Sequence, residues 1–247
     1  MSVQITTAFV EQYKGNVEHL VQQKGSRLRN NVSVETVVGK NAFFEQIGVT
    51  SARIRTTRHA DTPRMDTPHS RRRVSLVDYD WADLIDDEDR VRMLIDPKGP
   101  YAVAASSAMG RAIDTAIIDA ADGTAFTGVA GGTSTAYTAA NTVDVQVGVS
   151  PAADTGFTSS DFAAIKALVH GEVSTFLGFD FVRTELLETD SNSDHKVLFW
   201  QNAGMKLAIG SEPQVKISER SDKNYATQVF YSMSIGATRM QEELVGY

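Results

Sequence analysis

Two blocks of opposite charge adjoin one another in the first half of this chain of 247 residues. Between Ser51 and Arg73 lie Arg53, Arg55, Arg58, Arg64, Arg71, Arg72 and Arg73, with only Asp61 and Asp66 to offset them. Between Asp78 and Asp96 lie eight carboxylates, Asp83, Asp86, Asp87 and Glu88 among them, against Arg90 and Arg92. Guanidinium groups grip carboxylates and phosphates through paired, planar hydrogen bonds, so the basic block suits either a protein interface or a nucleic-acid backbone. It has little aromatic interleaving for base stacking, and an acidic block stands beside it, which favours the protein interface. Two arrangements remain open: the blocks neutralise one another within a subunit, or the arginines of one copy lie on Asp83, Asp86, Asp87 and Glu88 of the next. Exposed pairs contribute about 0 to 1 kcal/mol each, so charge here would set register and partner choice more than strength.

Patterns for catalysis or metal binding are weak. The run Asp86 to Asp89 offers carboxylates for a glycosidase or a metal, but a catalytic acid needs an apolar cleft to raise its pKa, and consecutive acids mostly face water or arginines. Asp190, Asn192 and Asp194 imitate the start of a calcium loop, yet His195 stands where its glycine belongs and Gln201 where its closing glutamate belongs. The five histidines, His19, His59, His69, His170 and His195, lack zinc-site spacing. No nucleophile elbow occurs, Ser193 to Lys196 matches a Ser-x-x-Lys pattern by chance, and Gly128 to Gly132 lacks the lysine of a phosphate loop. With no cysteine, thiol catalysis, disulfides and Cys-ligated zinc are excluded. Neither enzymatic activity nor a cofactor or metal is expected.

The elements that must carry these charges follow from periodicity. With 42% hydrophobic and 22% charged residues the chain can bury a core, and its net charge of −7 argues against a protein whose main task is to grip DNA. It lacks both a signal-peptide pattern and 18 consecutive apolar residues, so neither export by a leader nor a membrane span is expected. Apolar spacing predicts an amphipathic helix from Thr6 to Lys24, and alternation predicts a strand from Val32 to Gly39. Segments 52–57 and 72–81 are β-compatible and flank a proline-containing stretch that cannot make a core, which predicts an extended hairpin needing a partner surface. Asp96-Pro97 opens a long alanine-rich helix, with Met109, Ile113, Ile117 and Ala120 in one stripe, ended by Gly123. Beyond it, strands are expected at 142–149, around Phe179 and Phe181, and at 196–200, with a short helix at 161–168. A terminal hairpin pairs 214–219 with 225–240 across the turn 220–224, and places Tyr225, Thr227, Val229, Tyr231, Met233 and Ile235 on one face.

Several motifs carry a resemblance: Ile5 to Val10, Gln23 to Arg29, Arg58 to Pro63, Asp66 to Arg73, Trp81 to Leu84, Val91 to Pro97 and Gly178 to Phe181. In these the chain resembles major capsid proteins of tailed bacteriophages, which have the Hong Kong 97-type shell fold. The resemblance implies an α+β architecture with an N-terminal arm (1–50), an extended loop (51–95), a peripheral domain with a spine helix on a sheet (96–162 and 211–247) and a short axial domain (163–210). It implies a virion component, assembled in the host cytoplasm, that forms hexamers and pentamers of an icosahedral head shell around double-stranded DNA. The implied partners are the chain itself, a portal, scaffolding or decoration proteins, and packaged DNA by weak non-specific contact, with no membrane. Some relatives cross-link a loop lysine, but no lysine occurs here between Asn41 and Pro97, so that chemistry is not expected. A protein nanocompartment shell of the same fold, a carboxylate-dependent hydrolase and a nucleic-acid-binding accessory protein are the alternatives.

Overall fold

The computed structural model describes residues 23–56, 58, 61–62, 64–87, 98–138, 175–176, 178–187 and 196–247. The expected strand at 142–149 and helix at 161–168 lie outside these residues, as does the expected N-terminal helix apart from Gln23 and Lys24, which are irregular. In chain order the strands are β1 (Ser33–Thr36), β2 (Asn41–Ile47), β3 (His69–Ser75), β4 (Val77–Ile85), β5 (Ala125–Thr127), β6 (Thr133–Thr135), β7 (Thr175–Phe176), β8 (Phe179–Asp180), β9 (Phe199–Trp200), β10 (Met205–Arg220), β11 (Ala226–Arg239) and β12 (Val245–Gly246). One long helix, α1 (Lys98–Asp122), stands between β4 and β5.

Alanine and the straight-chain residues make α1 a strong helix former, and no proline interrupts it after its first turn. It closes where the sequence indicates, the Gly123 N–H donating to the Asp119 carbonyl at 2.8 Å. Its buried stripe steps by four through Ala105, Met109, Ile113, Ile117 and Ala121, with Ile118 alongside. Ala120, expected in that stripe, is half-buried at its margin.

The stripe packs on a sheet of order β1-β10-β11-β4, antiparallel except where β1 runs parallel to β10. Leu207 and Ile209 of β10, Met233 and Ile235 of β11 and Tyr79 and Trp81 of β4 meet the helix in one core. Each such large side chain contributes about 1.5 to 3 kcal/mol when fully buried, so this layer is the stable body of the fold. The expected face of β11 forms, except that Tyr225 lies in the turn at φ 60 and is exposed. β10 is longer than expected, because two register irregularities between Ile209 and Gln214 absorb Pro213 and let pairing continue on both sides. In the turn that follows, Arg220 donates from Nε and Nη2 to Asp222 at 2.7 and 2.6 Å. That hydrogen bond holds the Asp222 carboxyl down at about 2. The pair therefore weakens only as pH falls through about 2 and adds no pH dependence near neutrality. An NMR titration should place Asp222 there, and well above it in Arg220→Ala.

A second sheet, β2-β3-β5-β6, is the root of the arginine-bearing loop. Its core, Phe44, Val74, Val37 and Met240, sits against Ala208. The predicted hairpin exists, but its first strand is β2 rather than 52–57: Asn41 to Ile47 pair with Ser75 to His69. The physical reason is burial, because β2 supplies Phe44 to the core, while Ile54 is the single large apolar side chain of 52–57 and is 85% exposed. Two short ribbons complete the described residues, β7 with β8 and β9 with β12.

Candidate assembly interface

Strand alternation splits the three adjacent arginines of β3 between two faces. Arg71 bonds Glu45, its register partner on β2, at 2.8 Å, and lies over the Phe43 ring. Arg73 lies over Phe126 on β5, with 4.7 Å to the ring centroid. Arg72 turns inward and is 6% exposed. Its Nε donates to the Met240 carbonyl at 3.1 Å and its Nη2 to Glu242 at 2.7 Å. The other Glu242 oxygen accepts from Nε of Arg239, which is fully buried. Arg239 Nη1 then donates to the carbonyls of Ala121 and Gly123, at 2.8 and 2.9 Å. A guanidinium at a helix C-terminus satisfies orphan carbonyls and opposes the negative end of the helix dipole. One carboxylate thus ties the root of the loop to the end of α1.

The carboxylates that hold Arg71 and Arg72 are therefore Glu45 and Glu242, within the same chain, and not those of the acidic block. Asp83 lies on the helix side of β4, half-buried, and its Oδ1 accepts from the Leu84 N–H at 2.9 Å. Asp86 is half-buried and Asp87 exposed. Glu88 lies outside the described residues. Beyond the root the picture changes: Gly48 N–H bonds the Pro68 carbonyl at 2.8 Å, and the chain then departs into an irregular loop that carries Arg53, Arg55, Arg58 and Arg64. Every described residue from Ile47 to Ser70 is exposed, Val49 at 98% and Met65 at 51% included.

The N-terminal segment is fastened by a residue that periodicity alone does not single out. Asp114, in the middle of α1, is fully buried. Its carboxylate accepts from the Gln23 side chain, Ser26 Oγ, and the N–H groups of Arg27 and Leu28 at 3.0 and 3.1 Å. One turn earlier the helix passes so close to the segment that a β-carbon on Gly110 would fall on the Gly25 backbone. Gly110→Val is expected to cost about 1 to 3 kcal/mol by overpacking, read as a lowered thermal midpoint of the unassembled chain. An unchanged midpoint would show that this crossing is loose. The only sequence signal for the clasp is an aspartate at an apolar position of a strong helix. Glu242 and Arg239 carry no comparable mark.

Among the described residues no group of His, Asp and Glu side chains forms a metal site, and no helix is long and apolar enough to cross a membrane. A hollow of about 220 Å³ beside the end of α1 is spanned by the Lys196–Asp122 ion pair at 2.6 Å, with Ile118, Leu187 and Leu198 in its wall.

A spine-like helix on a four-stranded sheet, with a second sheet that launches a long solvated loop, defines a protein of the Hong Kong 97-type capsid fold. Solved shells have the same architecture. The chain is similar to the capsid protein of the cyanophage P-SCSP1u (TM-score 0.65, 14% identity, covering 97% of this chain and 92% of that one). It is also similar to the capsid of a native GTA particle (TM-score 0.65, 11% identity, 100% and 97% covered) and to that of Mycobacterium phage Che8 (TM-score 0.65, 12% identity, 96% of each). No curated protein sequence matches it. The chain belongs to the phage capsid protein family, whose sequence pattern matches residues 5–157 and 152–247. It is a structural component of the phage head shell rather than an enzyme.

Proposed function

We propose that copies of this chain close into an icosahedral shell around double-stranded DNA, and that the loop between Gly48 and Pro68 is the element by which each copy holds its neighbour. The observation that carries this reading is the exposure of every described residue of the loop, including Val49, Ile54 and Met65. Ordering a residue costs about 1 to 2 kcal/mol of backbone entropy, and this segment recovers little of it by burial in its own chain. A second copy supplies the missing surface, and contacts of modest strength sum through repetition around a closed shell. The loop arginines Arg53, Arg55, Arg58 and Arg64 serve as donors to that surface, while Arg71, Arg72 and Arg73 hold its root. In this reading the chain before β2 is the arm, and Gly48 to Pro68 on its root of β2 and β3 is the loop. Residues 96–162 and 211–247 belong to the peripheral domain together with β4 and the start of β10, which share its sheet, and the chain from 163 to β10 is the axial domain. Hexamers and pentamers are the building units, a portal and scaffolding or decoration proteins are the partners, and DNA is enclosed by weak non-specific contact. A net charge of −7 suits a container that must not adhere to its contents.

The test is a loop deletion. Replacing residues 49–67 by Asn-Gly lets β2 and β3 close as a tight hairpin. The variant should be a folded monomer by light scattering where the intact chain gives megadalton shells by electron microscopy. Shells of normal appearance from the deletion variant would contradict the role of the loop.

A further inference from the structure

We propose that segment Thr50 to Thr56 of one copy adds as a fifth strand to the open edge of β4 in a neighbouring copy, Arg53 and Arg55 facing Asp78 and Asp80, and Ile54 facing Tyr79. This rests on the reading that copies of the chain assemble.

β4 pairs with β11 along one side, and among the described residues no strand pairs with the other. Its outward N–H and C=O groups are a template for a further strand. Asp78 and Asp80 are exposed on the face away from α1, and the residues directly opposite them on β11 are the uncharged Ser234 and Ser232. On the opposite face Tyr79 and Trp81 are only partly buried beside the helix core.

The inserting segment has the matching pattern. Thr50-Ser51-Ala52-Arg53-Ile54-Arg55-Thr56 belongs to no strand of the described sheets and is exposed, contains neither glycine nor proline, and includes three β-branched residues. As a strand it would place Ser51, Arg53 and Arg55 on one face and Ala52, Ile54 and Thr56 on the other. Antiparallel addition sets Arg53 opposite Asp80, Arg55 opposite Asp78, Ile54 opposite Tyr79 and Ala52 opposite Trp81. Parallel addition exchanges the two arginines and keeps Ile54 at Tyr79. A slip by one residue would turn both arginines onto the aromatic face and Ile54 into water, so the register is specified. Another open edge, β10 beyond Ile209, offers no such match: Glu212, Lys216, Glu219 and Arg220 mix their signs, Arg29 already pairs with Glu212, and Asp222 with Arg220.

The chain has no cysteine, which makes a cross-link test clean. Directly opposed residues of an antiparallel pair lie about 4.5 to 5.5 Å apart at Cα, within reach of a disulfide. Oxidised shells of the Ile54→Cys, Tyr79→Cys double variant should run as a ladder of covalent multimers on a non-reducing gel, and either single variant should not. Intact shells without a ladder would overturn the strand addition while leaving the shell reading in place. Absence of shells from the unaltered chain would overturn both. Charge exchange covers failure of the cysteine variant to assemble. Arg53→Asp with Arg55→Asp, or Asp78→Arg with Asp80→Arg, should lower shell yield about tenfold through like-charge contact, and the two pairs combined should restore it. A combined variant no better than its parents would overturn the proposal.

Discussion

Glu242→Ala is expected to destabilise the unassembled chain by about 3 to 5 kcal/mol, the range seen when a buried ion pair loses one partner. The reason is the company Glu242 keeps: Arg72 is 6% exposed and Arg239 fully buried, and Glu242 is the carboxylate between them. Its removal leaves two guanidinium groups out of water without a paired carboxylate among the described residues. For a chain of this size the loss corresponds to a fall in thermal midpoint of about 10 °C. Glu242→Gln, which keeps acceptor capacity and shape but not charge, should fall between the two. Calorimetry of the unassembled protein measures both, and a change below about 1 kcal/mol for the alanine variant would mean that solvent reaches the site. The same substitution should also raise amide exchange in β3, since Arg72 is one of its residues and the loop springs from it.

Asp114→Ala is the second large effect, expected to cost about 3 kcal/mol. It removes the acceptor of two backbone N–H groups and two side chains at once, and buried donors without partners cost about 1 to 3 kcal/mol each, partly relieved where water can enter. The loss should be local as well as global. Amide exchange at Arg27 and Leu28 is expected to approach that of an open loop while the centre of β11 stays protected. Asp114→Asn should recover part of this protection, because one carbonyl oxygen remains. Unchanged exchange at Arg27 and Leu28 in the alanine variant would mean that Gly25 to Asn31 is held by packing of Leu28 and Val32 rather than by the carboxylate.

Local signals carried the body of the fold. The alanine-rich run and Gly123 mark α1 and its end, and the period of two through Val229, Tyr231, Met233 and Ile235 marks the helix-facing side of β11. Charge arithmetic located the loop. Pairing choices were less legible, because they depend on what lies across space. β-propensity alone ranks 52–57 as highly as 41–47, and only the position of the core around Phe44 and Val74 decides between them. The arginines show the same limit. A triplet of basic residues reads as an exposed patch, yet alternation sends Arg72 into the interior to meet a carboxylate 170 positions later. Within the acidic block the sequence favours Asp83, Asp86, Asp87 and Glu88, while the pleat of β4 turns Asp78 and Asp80 outward and Asp83 toward the helix. Family motifs supplied what periodicity does not, the shell itself, and the match over residues 5–157 and 152–247 agrees with them.

The most direct measurement is an electron cryo-microscopy map of the assembled shell at side-chain resolution. Continuous density is expected for residues 49–56 against another copy, with Arg53 and Arg55 within hydrogen-bonding distance of that copy's carboxylates. A map in which this loop folds back on its own subunit, or projects into solvent with every copy still in place, would contradict it.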